Sequence, residues 1–407
     1  HAAMAKDAAK AVAAKPLVEN VPELPATLPL YYEDVSQQEF EASVLACLDL
    51  LGDDIPAGAT HGIILDRTCF YPEGGGQEGD YGTLTSDSAS HTILDTRKVG
   101  DLVIHLSAGS FEVGDMIHGE LDWERRRQLM DHHTAVHIVG GAARKLLGPH
   151  IYQAGANKSV ESARLDITHH KRLTRSDLDA IEASANEVLQ NVSRTEKLTL
   201  DRKDADRKFG FDLYQGGAPK GNNIRILRIS DHDIQACGGT HHDEPGRIGQ
   251  IRIVRSNAVQ DGVERLHIVA GKAAMIHARN QEDILRNTSD LFQVQVDDLP
   301  VTANRYLSEW KDQRKQIESL EAEIVRLRTS GGGDDIAEVD GVRVVIMEVD
   351  GDLKKMTKML KELTLDSSKP TLAILGSRAG GGKLMVAVTE SSVASEKFNS
   401  VDILREI

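Results

Sequence analysis

Cysteine, aromatic side chains and long apolar runs are all scarce in this chain. Its 407 residues include three cysteines, and Phe, Trp and Tyr together make up 4%. Cys47, Cys69 and Cys237 cannot all pair with one another, so a disulfide framework is not expected and a reducing cytoplasm is. No apolar stretch approaches the roughly 20 residues needed to cross a bilayer, which argues against a membrane protein. The opening stretch HAAMAKDAAKAVAAKP has no continuous apolar core and does not read as a signal peptide. What is present, 40% hydrophobic and 27% charged residues, describes a globular chain long enough for several domains.

Positive charge is also short. The formal net charge is −15, which on its face disfavours a polyanionic partner. Its distribution qualifies that reading. From Asp122 to Lys272 there are 24 Lys/Arg against 20 Asp/Glu, a balance of +4, while the remainder holds 24 against 43, a balance of −19. The middle of the chain is therefore the only part suited to nucleic acid. An ordinary solvated surface accounts for so small an excess about as well.

Periodicity divides the chain. Residues 5–14 read as an Ala/Lys helix, and a linker punctuated by prolines runs from Pro16 to Pro29. From Leu30 to Leu121 short β-type runs (HGIILDRTCFY, YGTLTS, HTILDTRKV, LVIHLSAG, IHGELDW) alternate with turns, the spacing of a small barrel or sandwich. ERRRQLMDHHTAVHIVGGAARKLLG has helical periodicity and ends at Gly148; RSDLDAIEASANEVLQN is a second helix with Ser176 as N-cap. NIRILRIS, IGQIRIVRS and VERLHIVAG read as strands. Beyond a helical stretch at 271–292, Tyr306, Trp310, Gln313, Ile317, Leu320, Ile324 and Leu327 recur in steps of four and three, a seam of about three heptads with one polar position. Such a seam suits either a coiled-coil contact or packing on its own domain. SGGGDD ends it, and residues 341–407 read as a small α/β unit. Within that unit GSRAGGGKL resembles a phosphate loop, but Leu384 stands where Ser or Thr belongs and a strand follows instead of a helix, so it reads as a hairpin turn.

The chemistry concentrates in two short motifs. HHTAVH sets His133 and His137 at i and i+4, on one face of a helix. CGGTH sets Cys237 and His241 across a Gly-Gly turn after a strand. Three imidazoles and a thiolate are suitable ligands for one tetrahedral Zn²⁺. Either pair alone is a weak signal; both in one domain make a strong one. His132 and His242 adjoin these residues but point elsewhere. HTAVH lacks the glutamate of His-Glu-x-x-His peptidases. A third motif, FYPEGGGQEGDYG, puts Gly74, Gly75 and Gly76 inside a strand-like stretch, where bare backbone permits a bulge or the close approach of a ligand.

FYPEGGGQ, HHTAVH and CGGTH, in this order, resemble the editing region of alanyl-tRNA synthetases and the freestanding alanyl-tRNA editing proteins related to them. PLYYEDVSQQEFEASV, IYQAGANKSVESARLDITHH and LYQGGAPKGNNIRI support the match, the last with an archaeal character. The resemblance covers roughly residues 29–407 and implies the C-terminal half of an archaeal-type synthetase without its aminoacylation domain. The fold class it implies is α+β. Residues 1–28 would be a helix and linker, 29–121 a β-barrel carrying GGGQ, and 122–270 a zinc-binding editing domain. Residues 271–332 would be a helical oligomerisation segment and 333–407 part of a C-terminal α/β domain. The implied activity is hydrolysis of the ester in tRNA(Ala) mischarged with serine or glycine, by an enzyme expected to be a homodimer through the helical segment, with one zinc per chain. That zinc either activates water or orients substrate. Gln153 and Thr134 are the implied pocket residues, and Gly74, Gly75, Gly76, Gln77 and Arg164 the implied substrate-binding residues. A freestanding editing protein and a non-catalytic tRNA-binding or dimerisation module with a structural zinc are the alternatives.

Overall fold

The computed structural model describes residues 16–406 except 20, 53, 220, 331–335, 351, 366–367, 379–380 and 391. The helix expected over residues 5–14 and most of the SGGGDD loop lie outside the described residues. The chain divides into two units between Ile284 and Leu285. The architecture is α+β.

The first unit begins with the barrel, formed by β1 (Glu39–Asp49), β2 (His61–Leu65), β3 (Gly82–Thr85), β4 (Ser90–Val99), β5 (Leu102–Ser107) and β6 (Met116–Leu121). They close in the order β1-β2-β5-β4-β3-β6, and β6 returns to β1 in antiparallel register with Phe40 opposite Gly119. Closure leaves no unpaired sheet edge. Alternation along β1 turns Phe40, Ala42 and Val44 inward, onto Ile63, Leu65, Phe70, Leu84 and Ile117. Each such side chain contributes about 1.5–3 kcal/mol by leaving water.

Directly after β6, Asp122 caps α1 (Trp123–Leu147) by accepting from Arg125 N at 3.0 Å. Ala135, Ile138, Val139 and Ala142 of α1 are fully buried. They join one core with Leu165, Ile167, Leu266 and Ile268 of an antiparallel sheet. That sheet runs β12 (Ile251–Gln260), β13 (Val263–Ala270), β8 (Ala163–Thr168), β7 (Gln153–Lys158). A second helix, α2 (Arg175–Asn191), covers the same core. Its N-cap is Thr174, not Ser176. Thr174 accepts from Asp177 N while Asp177 accepts from Thr174 N, a reciprocal box that takes priority over a lone serine one residue inside the helix. A three-stranded sheet, β9 (Glu196–Asp201), β10 (Asn223–Ile229), β11 (Asp233–Ala236), completes this part. β11 delivers the chain to Cys237.

Helix α3 (Gly271–Phe292) follows β13. In the second unit α4 (Leu299–Ser330) leaves its seam open: Tyr306, Trp310, Ile317, Leu320, Ile324 and Leu327 are all exposed. The remainder is a sheet in the order β14 (Ile336–Val339), β15 (Val342–Glu348), β16 (Thr371–Ser377), β17 (Lys383–Val388), with α5 (Leu353–Thr364) packing Met356 and Leu360 on it. β14 was not foreseen. GSRAGGGKL joins the antiparallel pair β16 and β17, with Ser377 opposite Lys383, as a hairpin does. Among the described residues no helix is long and apolar enough to cross a membrane.

Candidate metal centre

Helix α1 and the turn after β11 bring four side chains to one point. His133, His137, Cys237 and His241 each offer a ligand atom, and these atoms lie within 4.8 Å of one another. Cys237 Sγ is 3.4 Å from His133 Nε2 and 3.2 Å from His241 Nε2. The turn can approach α1 so closely because position 239 is glycine; a Cβ there would collide with the His133 ring. Arg225 fixes the turn by donating from Nη1 to the carbonyls of Cys237 (3.0 Å) and Gly239 (2.7 Å).

Each imidazole is aimed by an oxygen at its far nitrogen. His133 Nδ1 donates to Gln77 Oε1 at 2.7 Å. His137 Nδ1 faces Asp233 Oδ2 at 3.4 Å. His241 Nδ1 faces Thr134 Oγ1, also at 3.4 Å. A proton on each Nδ1 leaves Nε2 as the free donor, the tautomer a metal-binding histidine needs. Burial opposes ionisation of the Cys237 thiol, but the adjacent His137 and the Gly239 N–H outweigh it and draw its pKa down. Burial also opposes charge on His137, and there the thiolate and Asp233 win and hold its pKa up. Burial, reinforced by neighbouring cations, pushes His133 and His241 far below the usual histidine range. The set is thus a thiolate paired with the charged His137 beside two neutral imidazoles, and His137 gives up its second proton when an ion binds.

The cluster opens on a cavity of about 530 Å³ whose walls include Gly74, Gly75, Gln153, Lys158, Tyr71 and Gly216. Gly74 and Gly75 are thus part of the cavity wall. Gly76 does something else: it presses on the backbone of Ala156, too close for any Cβ, and accepts from Lys158 N at 2.6 Å. Gln77 is a correction. Its side chain is fully buried and turned away from the cavity; Oε1 accepts from His133 Nδ1 and Thr240 N, and Nε2 donates to Thr240 Oγ1 at 2.9 Å. It holds the His133 ring from behind and lies outside the cavity wall. Thr134 is a second correction of the same kind, fully buried between His241 Nδ1 and His242 N. Arg164 is exposed on β8, on the face opposite Ala163 and Leu165, and is not part of the cavity wall. Gln153 does line the cavity, at the start of β7 against Gly216. His132 and His242 point away as expected, His132 to Ser159 O (2.7 Å) and His242 to Asp131 Oδ1 (2.7 Å).

Lys158 was missed. It ends β7, its side chain is almost wholly buried, and Nζ donates to Gly75 O at 2.7 Å beside the cavity. Burial lowers its pKa to about 8, partly offset by the Cys237 thiolate. In the sequence it is one lysine after a run of small residues, and its meaning appears only once the glycine loop is laid against β7. Tyr32 was also missed; its hydroxyl donates to Gly238 O at 2.7 Å, and its ring carries the Arg225 guanidinium 4.6 Å away.

Comparison with known sequences supplies the class. Residues 1–125 match the family model for class II (A) tRNA synthetases, and residues 224–267, which include Cys237 and His241, match the second additional domain of threonyl and alanyl tRNA synthetases. Among curated relatives, the alanine–tRNA ligase of Halobacterium salinarum is 41% identical over 373 residues, 91% of this chain and 40% of the relative. That of Methanobrevibacter smithii is 39% identical over 383 residues, 93% and 42% of the two chains. That of Methanopyrus kandleri is 38% identical over 387 residues, 95% and 41%. The protein is an alanyl-tRNA synthetase relative, and it spans about 40% of the length of these curated relatives.

Proposed function

We propose that this chain is a proofreading hydrolase that deacylates seryl-tRNA(Ala), and glycyl-tRNA(Ala), at a zinc-bearing cleft. The observation that carries the reading is the convergence of three oxygen-aimed histidines on Cys237 at the wall of the cavity that Gln153, Gly74 and Gly75 also line. The donor set fits zinc. Bonds of 2.0–2.3 Å in a tetrahedron place neighbouring donors roughly 3.3–3.8 Å apart; one S···N separation, 3.4 Å, lies in that range and the other, 3.2 Å, just short of it, so small shifts of the donors suffice. When bound, zinc supplies a fixed positive charge that polarises or orients an oxygen of the substrate.

The remaining chemistry belongs to the chain. Serine and alanine differ by one hydroxyl, and a pocket selecting alanine rejects the larger analogue only about a hundredfold. A second pocket must then recognise that hydroxyl directly. Gln153 offers a carboxamide on the cavity wall for it. Lys158 offers an ammonium group for the terminal ribose or phosphate. Hydrolysis adds water across the acyl–oxygen bond; serine leaves as the free acid and the tRNA 3′-oxygen takes the proton. The Gly74–Gly75 backbone lets the terminal nucleotide come close to the cluster.

The first test is the pair of initial rates on seryl- and alanyl-tRNA(Ala). The chain is expected to cleave the seryl ester and spare the alanyl one. Gln153→Ala should shrink that ratio by the worth of one lost hydrogen bond, about 1–3 kcal/mol, with tRNA binding little changed, because phosphate contacts set the latter. Equal hydrolysis of both esters by the wild type refutes proofreading. One feature favours a second reading: four protein donors saturate a tetrahedral ion, as in a structural site. On that reading the chain binds tRNA(Ala) without turnover. The open seam of α4 suits a homodimer contact in either case.

A further inference from the structure

Three further histidines meet away from the cleft. His150 follows the Gly148 end of α1, and His169 and His170 follow β8. One nitrogen from each ring lies within 4.8 Å of the others, and His150 Nε2 stands 3.0 Å from His169 Nδ1. The ring centroids are 5.0–5.4 Å apart. The two segments that carry them are tied together. Thr168 Oγ1 donates to His150 O at 2.6 Å and accepts from Tyr152 N at 2.8 Å, and His169 N donates to Gly262 O at 2.9 Å. The rings are thus held as neighbours before any ligand arrives. The proposed editing chemistry uses none of them.

We propose that His150, His169 and His170 form a second metal site, for a divalent first-row transition ion of the zinc, nickel or copper type. Imidazole nitrogens prefer such ions to calcium or magnesium, which take oxygen ligands. The set contains no carboxylate and no thiol, so it differs in kind from the Cys237 cluster. Three protein donors leave a fourth position for water or another exchangeable ligand. Because His150 and His169 come from segments on either side of β7 and β8, a bound ion clips the end of α1 to the end of β8. Binding to the folded state alone then stabilises the chain by mass action.

The test is a calorimetric titration of the full chain, first saturated with zinc and dialysed, with Ni²⁺ as the probe. The wild type is expected to take up one further ion, with the histidine NMR resonances of His150, His169 and His170 the first to broaden. His170 is exposed and lies on a loop, so His170→Ala should keep its circular dichroism while losing roughly tenfold or more in Ni²⁺ affinity. His118→Ala removes an exposed histidine on the barrel and should titrate as the wild type does. No uptake beyond zinc, or equal affinity in wild type and His170→Ala, overturns the proposal. Should His170→Ala misfold, the wild-type spectrum decides, and first broadening at other histidines overturns it. The two metal clusters share no residue, so this result stands apart from the hydrolase reading.

Discussion

The two histidine clusters of this chain differ in how their rings are held. In the inner one every Nδ1 faces an oxygen from another part of the chain, Gln77 of the glycine loop and Thr134 of α1 within hydrogen-bond distance and Asp233 of β11 as an ion-pair partner. Those rings are buried and have one way to point. In the outer one the rings lean on each other, and His150 and His170 are exposed. The difference teaches where the information for a metal centre resides. Donors at the right spacing make a candidate, but the oxygens behind them turn nitrogen lone pairs toward one point and hold them there. The inner cluster has that outer layer and the outer one lacks it. The inner site should therefore hold its ion tightly and the outer site exchange it freely.

Removing a donor from the inner site should have the largest effect. Cys237→Ala is expected to lose most of its zinc, about one ion per chain by metal analysis, and with it turnover on every ester. Full zinc content in that variant would take the thiol out of the site.

His105 sharpens the comparison from the other side, as a buried histidine with no metal role. Its Nε2 meets Thr68 Oγ1 at 2.8 Å and its Nδ1 meets Ile63 O at 3.0 Å inside the barrel. Burial pushes its pKa down from 6.5 to about 4. The unfolded chain therefore takes up this proton as pH falls through 6.5, whereas the fold resists until near 4. The contribution is complete above 6.5 and lost toward 4, and amounts to about 3 kcal/mol. Urea denaturation at both ends of that window should show this slope flattened in His105→Gln. An unchanged slope would mean that His105 titrates normally in the fold.

Gln77→Ala leaves all four donors in place and removes only the support behind His133. Metal affinity should fall about 10–100-fold, measurable by competition with a chromogenic chelator. No loss would mean that the oxygens behind the rings are incidental. The smallest effect concerns the second unit. Ile317→Asp/Leu320→Asp should reduce the mass seen by light scattering if the open seam of α4 joins two copies. Catalytic rates should be little affected, since neither residue belongs to the cleft.

The donors were legible in the sequence because each pair sits within one short segment, four residues apart. Their supports were not. Gln77 is 56 residues from His133 and 163 from Thr240, with no local pattern to connect them. A glutamine after three glycines reads as exposed and ligand-facing; the loop instead turns it inward, where Gly76 presses on Ala156 and Gln77 reaches His133 and Thr240. Thr134 has a related reason: it sits behind the His241 ring, buried against the turn, and not on the cavity wall. Arg164 was placed by resemblance, while the two-residue period of β8, with Ala163 and Leu165 buried, already sent it to the opposite face. The barrel was legible as short runs between turns, although closure, which depends on β6 pairing with β1 across most of its length, was not. Lys158 had no signal of its own.

The central claim is most directly tested by serine release from seryl-tRNA(Ala) by the purified full chain, measured as isolated, after chelation, and after zinc is restored. The account predicts release as isolated, loss on chelation with the fold intact by circular dichroism, and recovery with zinc. Tight binding of the tRNA with no serine released in any of the three states would contradict it.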